Sequence, residues 1–182
     1  MSLSNELNIG SKVDSFALSN AMGKIIKLSG LLTGGPVILT WYRGNWCPYC
    51  HIHLRHLQNF LPSFWEAGAS LVALTPEPPD HSLAMWEEEW LQFEVLTDVD
   101  NEISRSFGIL RPIGLHFTGP EAFDPHLDNL LHTGVAELPL PAVFIIDVDS
   151  IVRYRFIDED YRKHAEPHDI LEALRTVGTK AE

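Results

Sequence analysis

Thiols are scarce in this sequence: two cysteines, Cys47 and Cys50, among 182 residues. So sparse a set excludes a disulfide-stapled secreted scaffold, and it leaves no third cysteine to serve as a distant resolving thiol. Any redox cycle within one chain must run between Cys47 and Cys50. Positive charge is short as well. Thirteen Lys and Arg stand against 25 Asp and Glu, and a net charge of −12 argues against nucleic acid or an anionic membrane surface as partner. No apolar run reaches the ~18 residues of a membrane span. The opening MSLSNELNIG lacks a basic segment followed by an apolar one, so no secretory leader is read there and a cytoplasmic location is expected. A native leader removed before this start would weaken that expectation. Repeats and low-complexity segments are absent too. An apolar fraction of 45% is ordinary for a globular chain, and 1–182 is expected to form one domain with a sizeable core.

What is present centres on residues 36–64. Val37, Ile38, Leu39, Trp41 and Tyr42 have the length and β-branched, aromatic content of a buried strand. Arg43, Gly44 and Asn45 make a turn, and Cys47-Pro48-Tyr49-Cys50 follows. Apolar residues then recur at Cys50, Leu54, Leu57, Leu61 and Phe64, the buried stripe of a helix. The dithiol therefore lies where a strand ends and a helix begins, with Pro48 suited to the first helical turn. Free backbone N–H groups and the positive end of the helix dipole stabilise a thiolate there, lowering a cysteine pKa from ~8.5 to between ~3.5 and ~7.5. Both effects fall off within a turn, so Cys47, the more exposed of the two, is expected to be the nucleophile, with Cys50 close enough to resolve a mixed disulfide or sulfenic acid.

The rest of the chain alternates strands with helices. A two-strand preface is expected between Val13 and Leu28, turning at Gly23. Pro62 is expected to kink or end the central helix, and Gly68 to cap it. A strand at 70–75 precedes a helix over 80–91 with Asp80 as N-cap, then a short strand at 95–98 and a helix over 101–107. Residues 111–138 show no single period and read as an insertion of loops with a short helix near 127–131. A hairpin over 141–157 and a helix over 167–177 close the chain. This order implies an α/β fold with a central mixed β-sheet flanked by helices, and a CxxC after the first core strand makes it thioredoxin-like with an N-terminal β-hairpin extension.

Four strings, WYRGNWCPYC, LVALTPEPPD, VLTDVDNEISRSFGI and PLPAVFIIDVDSIVRYRFIDEDYRKHAEP, together resemble the peroxiredoxin-like branch of the alkyl hydroperoxide reductase/thiol-specific antioxidant family over residues 10–177. The resemblance implies antioxidant thiol chemistry on peroxides or disulfides without a bound cofactor. Two departures stand out. The peroxiredoxin pattern Pro-x-x-x-Thr-x-x-Cys falls on Arg43, Cys47 and Cys50, which would make Cys50 the attacking thiol, whereas the thioredoxin alignment makes it Cys47. Where peroxiredoxins carry an arginine before a later core strand, this chain has Leu140-Pro141, resembling the cis-proline loop that faces the dithiol in thioredoxins.

Other readings of the same residues are weaker. Zinc needs four ligands, and His51 and His53 diverge from the two thiols on one helix. Cys47-Pro-Tyr-Cys50-His51 matches the haem-attachment pattern CxxCH, but nothing indicates export. No metal and no cofactor are expected. Asp147, Asp149, Asp158 and Asp160 read as turn residues. Arg43 is a candidate to stabilise the thiolate or the leaving oxygen of a peroxide, as against a turn residue in a surface ion pair. Trp46 and Pro141 are candidates for the partner-facing wall, Pro141 with a cis bond. The expected activity is a redox-active disulfide cycle of Cys47 and Cys50 that reduces hydroperoxides and is recharged by an external dithiol such as a thioredoxin or glutaredoxin system. A disulfide oxidoreductase acting on protein disulfides and a non-enzymatic redox-sensing module are the alternatives, and a homodimer stays open.

Overall fold

The computed structural model describes residues 6–113 and 137–177. Strands β1 (Ala17–Asn20) and β2 (Ile25–Lys27) form the expected N-terminal hairpin. Asn20 closes its turn by accepting the N–H groups of Met22 and Lys24 through Oδ1. A short helix, α1 (Leu28–Leu32), follows. It went unanticipated because five residues are too few to display a period; burial of Leu28 and Leu32 holds it.

Strand β3 (Val37–Trp41) leads into α2 (Pro48–Glu66), then β4 (Ser70–Thr75), α3 (Pro79–Glu88), β5 (Glu94–Thr97) and α4 (Glu102–Ser106). Beyond them lie β6 (Leu110–Pro112), β7 (Glu137–Pro139), β8 (Ala142–Ile146), β9 (Val152–Ile157) and α5 (Pro167–Val177). Seven strands form one mixed sheet in the order β2-β1-β5-β4-β3-β8-β9. At its centre β3 runs parallel to β4 and antiparallel to β8. The alternation of side chains along β3 divides the core. Ile38 joins the cluster beneath α2, α3 and α5, while Val37, Leu39 and Trp41 join the opposite cluster with Leu28, Leu32 and Phe107. This is the α/β sandwich the chain order implied.

Local details depart from expectation for identifiable reasons. Pro62 lies inside α2 without ending it. It is exposed, while Leu61 and Phe64 beside it anchor the buried stripe. The N-cap of α3 is Pro78 rather than Asp80, which falls in the first turn. The start of α4 is satisfied from outside the helix: Asp98 accepts the N–H groups of Ile103 and Ser104, and Asn101 takes a left-handed conformation. Gly68, φ +77, sits one residue beyond the α2 cap at Ala67. Strands β6 and β7 pair as a separate two-stranded sheet at the two ends of the expected insertion; the short helix expected near 127–131 lies outside the described residues.

Candidate active site

The last backbone bond of the β3–β4 region joins the Tyr42 N–H to the Leu74 carbonyl, and there the chain leaves the sheet. Arg43-Gly44-Asn45-Trp46 then forms a tight loop, closed by the Cys47 N–H on the Gly44 carbonyl at 3.1 Å. Cys47 is the N-cap of α2, extended at φ −92, ψ 107, with Pro48 in the first helical position as the spacing predicts. Gly44 is required by close approach. A Cβ there would come within 2.3 Å of Trp46 Nε1 and 2.7 Å of Glu77 Oε1.

The two thiols are free and lie in opposite electrostatic settings. The hydrogen bond donated by Cys50 is the main cause that brings the Cys47 thiol down to about 6. Burial opposes it, and the Arg43 guanidinium and the Cys50 N–H add to it. Cys50 goes the other way: burial and the neighbouring Cys47 sulfur push its thiol well up. Cys47 is thus the thiol poised to ionise. It is not exposed, however, contrary to expectation: both cysteines are within 1% of full burial. The reason is that the residues around Cys47 pack over it. It belongs to the cluster of Tyr42, Cys50 and Leu54, with Trp46 and Tyr49 against that cluster.

Arg43 is no surface turn residue. Only 5% exposed, it points Nη2 at the Cys47 sulfur at 3.3 Å. Its guanidinium lies 4.2 Å over the ring of Tyr161 and 5.2 Å from that of Trp46. The planar cation is held between two aromatic faces, which suits arginine and not lysine. Trp46 thereby takes a place in the site, and Tyr161, from the segment after β9, enters unforeseen because it lies far along the chain in a stretch without period.

The loop is pinned on both sides of one peptide residue. The Asn45 N–H donates to Glu77 Oε2 at 2.7 Å, and the Asn45 carbonyl faces His51 Nε2 at 2.6 Å. Glu77 is buried, which holds its carboxyl above the usual range, and His81 stands 3.5 Å from its other oxygen. His51 and His53 do diverge. His51 Nδ1 meets Glu89 at 2.5 Å, whereas His53 meets Thr40 Oγ1 at 3.2 Å and stacks on His164 with ring centroids 4.3 Å apart. Burial pushes both His53 and His164 down, His164 to about 4, with the charge of Arg43 as its second cause. His53 sits one residue before Leu54 on the buried stripe, a position that could have flagged it as buried.

Pro141 is placed differently from expectation. No peptide bond among the described residues is cis. The Leu140–Pro141 bond is therefore trans, at the bend between β7 and β8. Leu140 N–H binds the Ile109 carbonyl, and the Pro141 carbonyl accepts from Asp158. The pairing of Trp41 with Ala142 puts Pro141 at the same end of the sheet as the dithiol. The aspartates are turn residues as read: Asp147 accepts the N–H groups of Asp149 and Ile151 and pairs with Arg153, and Asp160 grips Arg162. Among the described residues no group of three or more His, Cys, Asp or Glu could hold a metal, and no helix is long and apolar enough to cross a membrane.

Comparison with known proteins gives concordant findings. The model of the AhpC/TSA family matches residues 9–155. Thiol-disulfide oxidoreductase ResA of Bacillus thuringiensis is 22% identical over 164 residues, covering 90% of this chain and 78% of that protein. The crystal structure of peroxidoxin BcpB from Mycobacterium tuberculosis superposes with a TM-score of 0.77 at 23% identity, over 96% of this chain and 100% of that one. Enterococcus faecalis AhpC superposes at 0.73 with 15% identity, over 93% and 92%. At such identities the two structures speak for the shared fold.

Proposed function

Because the chain belongs to the AhpC/TSA family, we infer that it is a thiol peroxidase in which Cys47 attacks and Cys50 resolves. One observation carries the assignment. The thiol brought down to about 6 is the one that receives the Arg43 guanidinium at 3.3 Å, while the thiol three residues on is held protonated. The Cys47 thiolate attacks the outer oxygen of a hydroperoxide, and the O–O bond breaks. The sulfur becomes a sulfenic acid, and the alkoxide or hydroxide leaves and takes up a proton. Arg43 lies where it can stabilise that developing oxygen charge. Cys50 then displaces hydroxide from the sulfenic sulfur, giving the Cys47–Cys50 disulfide and water. An external dithiol, of thioredoxin or glutaredoxin type, reduces this disulfide and is itself oxidised.

Trp46, half-buried beside the dithiol, forms the wall that the reductant meets, and Pro141 lies further along the same end of the sheet. We place the reaction in the cytoplasm, in one domain spanning 1–182; a homodimer is tested by light scattering. A second reading has specific support. A low-pKa thiol followed by a buried high-pKa one also serves disulfide exchange, and the similarity to ResA favours it.

The test is stopped-flow oxidation of the reduced protein by hydrogen peroxide and an organic hydroperoxide, followed by tryptophan fluorescence. Fast oxidation that survives in Cys50→Ser and is lost in Cys47→Ser establishes the peroxidase with Cys47 attacking. Oxidation no faster than that of a free thiol, together with reduction of insulin disulfides, selects the exchanger.

A further inference from the structure

His51, the histidine of the CxxCH string, has no part in the cycle above, yet it stands in the most tightly bonded position of the site. On the first turn of α2, it reaches back to the loop and across to α3 at once. Nε2 is 2.6 Å from the Asn45 carbonyl, which can only accept, so this nitrogen carries a proton. Nδ1 is 2.5 Å from Glu89 Oε1. Glu89 is buried at the end of α3 and is gripped by Arg55 from both of its oxygens. With Arg55 donating to the carboxylate, the proton between His51 and Glu89 sits on the imidazole. The arrangement suits a doubly protonated ring bridging a carbonyl and a carboxylate.

We propose that His51, as imidazolium, is a positioning residue that ties the Arg43–Trp46 loop to Glu89, and that the reactivity of Cys47 falls when His51 loses its proton. The proposal rests on the peroxidase reading for its consequence and on geometry for its cause. The loop has two fixed points at Asn45, the Glu77 carboxylate on its N–H and His51 on its carbonyl. Arg43 precedes them by two residues, and Cys47 follows by two. A displacement of Asn45 therefore moves the guanidinium relative to the sulfur, now 3.3 Å apart. Deprotonated His51 would turn a lone pair on Nδ1 toward the Glu89 carboxylate, and the bridge would open.

The charged groups facing His51 are Glu89 and Glu88 from α3 and Arg55 from α2; on the loop side Glu77, with His81, holds the other face of Asn45. Burial alone would lower the His51 pKa, but the Glu89 hydrogen bond and the Asn45 carbonyl outweigh it, so it lies above 6.5. The bridge is complete below that unfolded-state value and is lost as pH rises through the raised one. Cys47 ionises in the opposite sense, at about 6. The two limbs predict a bell-shaped dependence of oxidation rate on pH, with a falling side that a lone thiolate does not produce.

The experiment compares the parent protein with His51→Gln and His51→Leu. Gln places an amide N–H about where Nε2 lies but does not titrate; Leu supplies no donor. Rates are measured from pH 5 to 9 with hydrogen peroxide, and separately with iodoacetamide, which reports the Cys47 thiolate without reference to peroxide chemistry. The parent is expected to show the falling limb with peroxide. His51→Gln should keep a rate within about threefold and lose the falling limb. His51→Leu should slow peroxide oxidation about tenfold at pH 7, the order expected for one charged hydrogen bond, and shift its alkylation profile to higher pH. A falling limb that persists in both variants, or a folded His51→Leu with unchanged profiles, overturns the proposal. If peroxide is slow in all three proteins while the alkylation profile still shifts in His51→Leu, the positioning role stands and the peroxidase reading falls.

Discussion

Arg43→Met removes a buried guanidinium and keeps most of its volume, so it isolates the effect of the charge on Cys47. The thiol is brought down to about 6, so that most of it is thiolate at pH 7. The Cys50 hydrogen bond supplies the largest part, and burial works against it. Coulomb's law sets an upper bound on the arginine's part. Opposite charges 3.3 Å apart attract by about 5 kcal/mol at an effective dielectric of ~20. Relaxation and entering water reduce this to about 2 kcal/mol, the order of one hydrogen bond to a charged group. The variant should therefore titrate between about 7 and 8. At pH 7 its thiolate fraction drops from about nine-tenths to about one-quarter, and alkylation by iodoacetamide slows about fourfold. Oxidation by hydrogen peroxide should slow by roughly a further tenfold, because stabilisation of the departing oxygen is lost as well. Arg43→Lys should fall between, since lysine restores charge but not the planar face lying 4.2 Å over Tyr161. An alkylation midpoint in Arg43→Met that matches the parent would refute the assignment of the thiolate's partner. Equal losses with peroxide and iodoacetamide would refute the role at the leaving oxygen.

Because the Cys50 side chain donates the largest stabilising hydrogen bond to Cys47, Cys50→Ser should keep a low Cys47 titration, whereas Cys50→Ala should raise it at least as far as Arg43→Met does; pH-dependent alkylation reads both. Gly44→Ala drives a Cβ into Trp46 and Glu77 and should lower stability by about 1–3 kcal/mol in urea unfolding, with full stability in the variant counting against the close approach. His164 is held down to about 4 from 6.5, first by burial and then by Arg43. Its neutral form is the folded one, so its contribution is intact above 6.5 and is lost as pH falls toward 4, by at most about 3 kcal/mol. His164→Phe, which keeps a ring against His53, should therefore flatten the acid side of the melting-temperature profile, and an unchanged acid slope would show that the histidine pair is not what titrates.

The elements legible in the sequence were those long enough to show a period or closed by a distinctive residue. The stripe Cys50, Leu54, Leu57, Leu61 and Phe64 announced α2, and every one of those side chains is buried. The apolar residues of β3 announced a buried strand, and all five of its residues are buried. What stayed hidden was local structure set by distant partners. Helix α4 is capped by Asp98 rather than by a residue at its own start. The pairing of β6 with β7 joins segments that have no period in common. Pro62 does not end α2, and whether a proline stops a helix depends on which side faces water, which spacing alone does not say.

The same division runs through the site. Cys47, Cys50, Arg43 and Trp46 sit within eight residues of each other, so a strand end and a helix start are enough to bring them together. Glu77, Glu89 and the pair Tyr161 and His164 arrive from three later segments, and only the fold makes them neighbours. Yet it is these that allow the short motif to be buried. A thiolate with no exposed surface survives only where charge and donors surround it, and each buried charge here comes with its complement: Cys47 with Arg43, Glu89 with Arg55 and His51, Glu77 with the Asn45 N–H. This has a redox consequence. Whatever stabilises the Cys47 thiolate stabilises the reduced protein, since forming the disulfide removes the negative charge from beside Arg43. The disulfide is then the more oxidising for it and the more readily opened by an external dithiol. In the proposed cycle the hydrogen bonds of Cys50 and Arg43 to Cys47 thus raise the fraction of attacking thiolate at neutral pH and also ease reductive recharging of the disulfide.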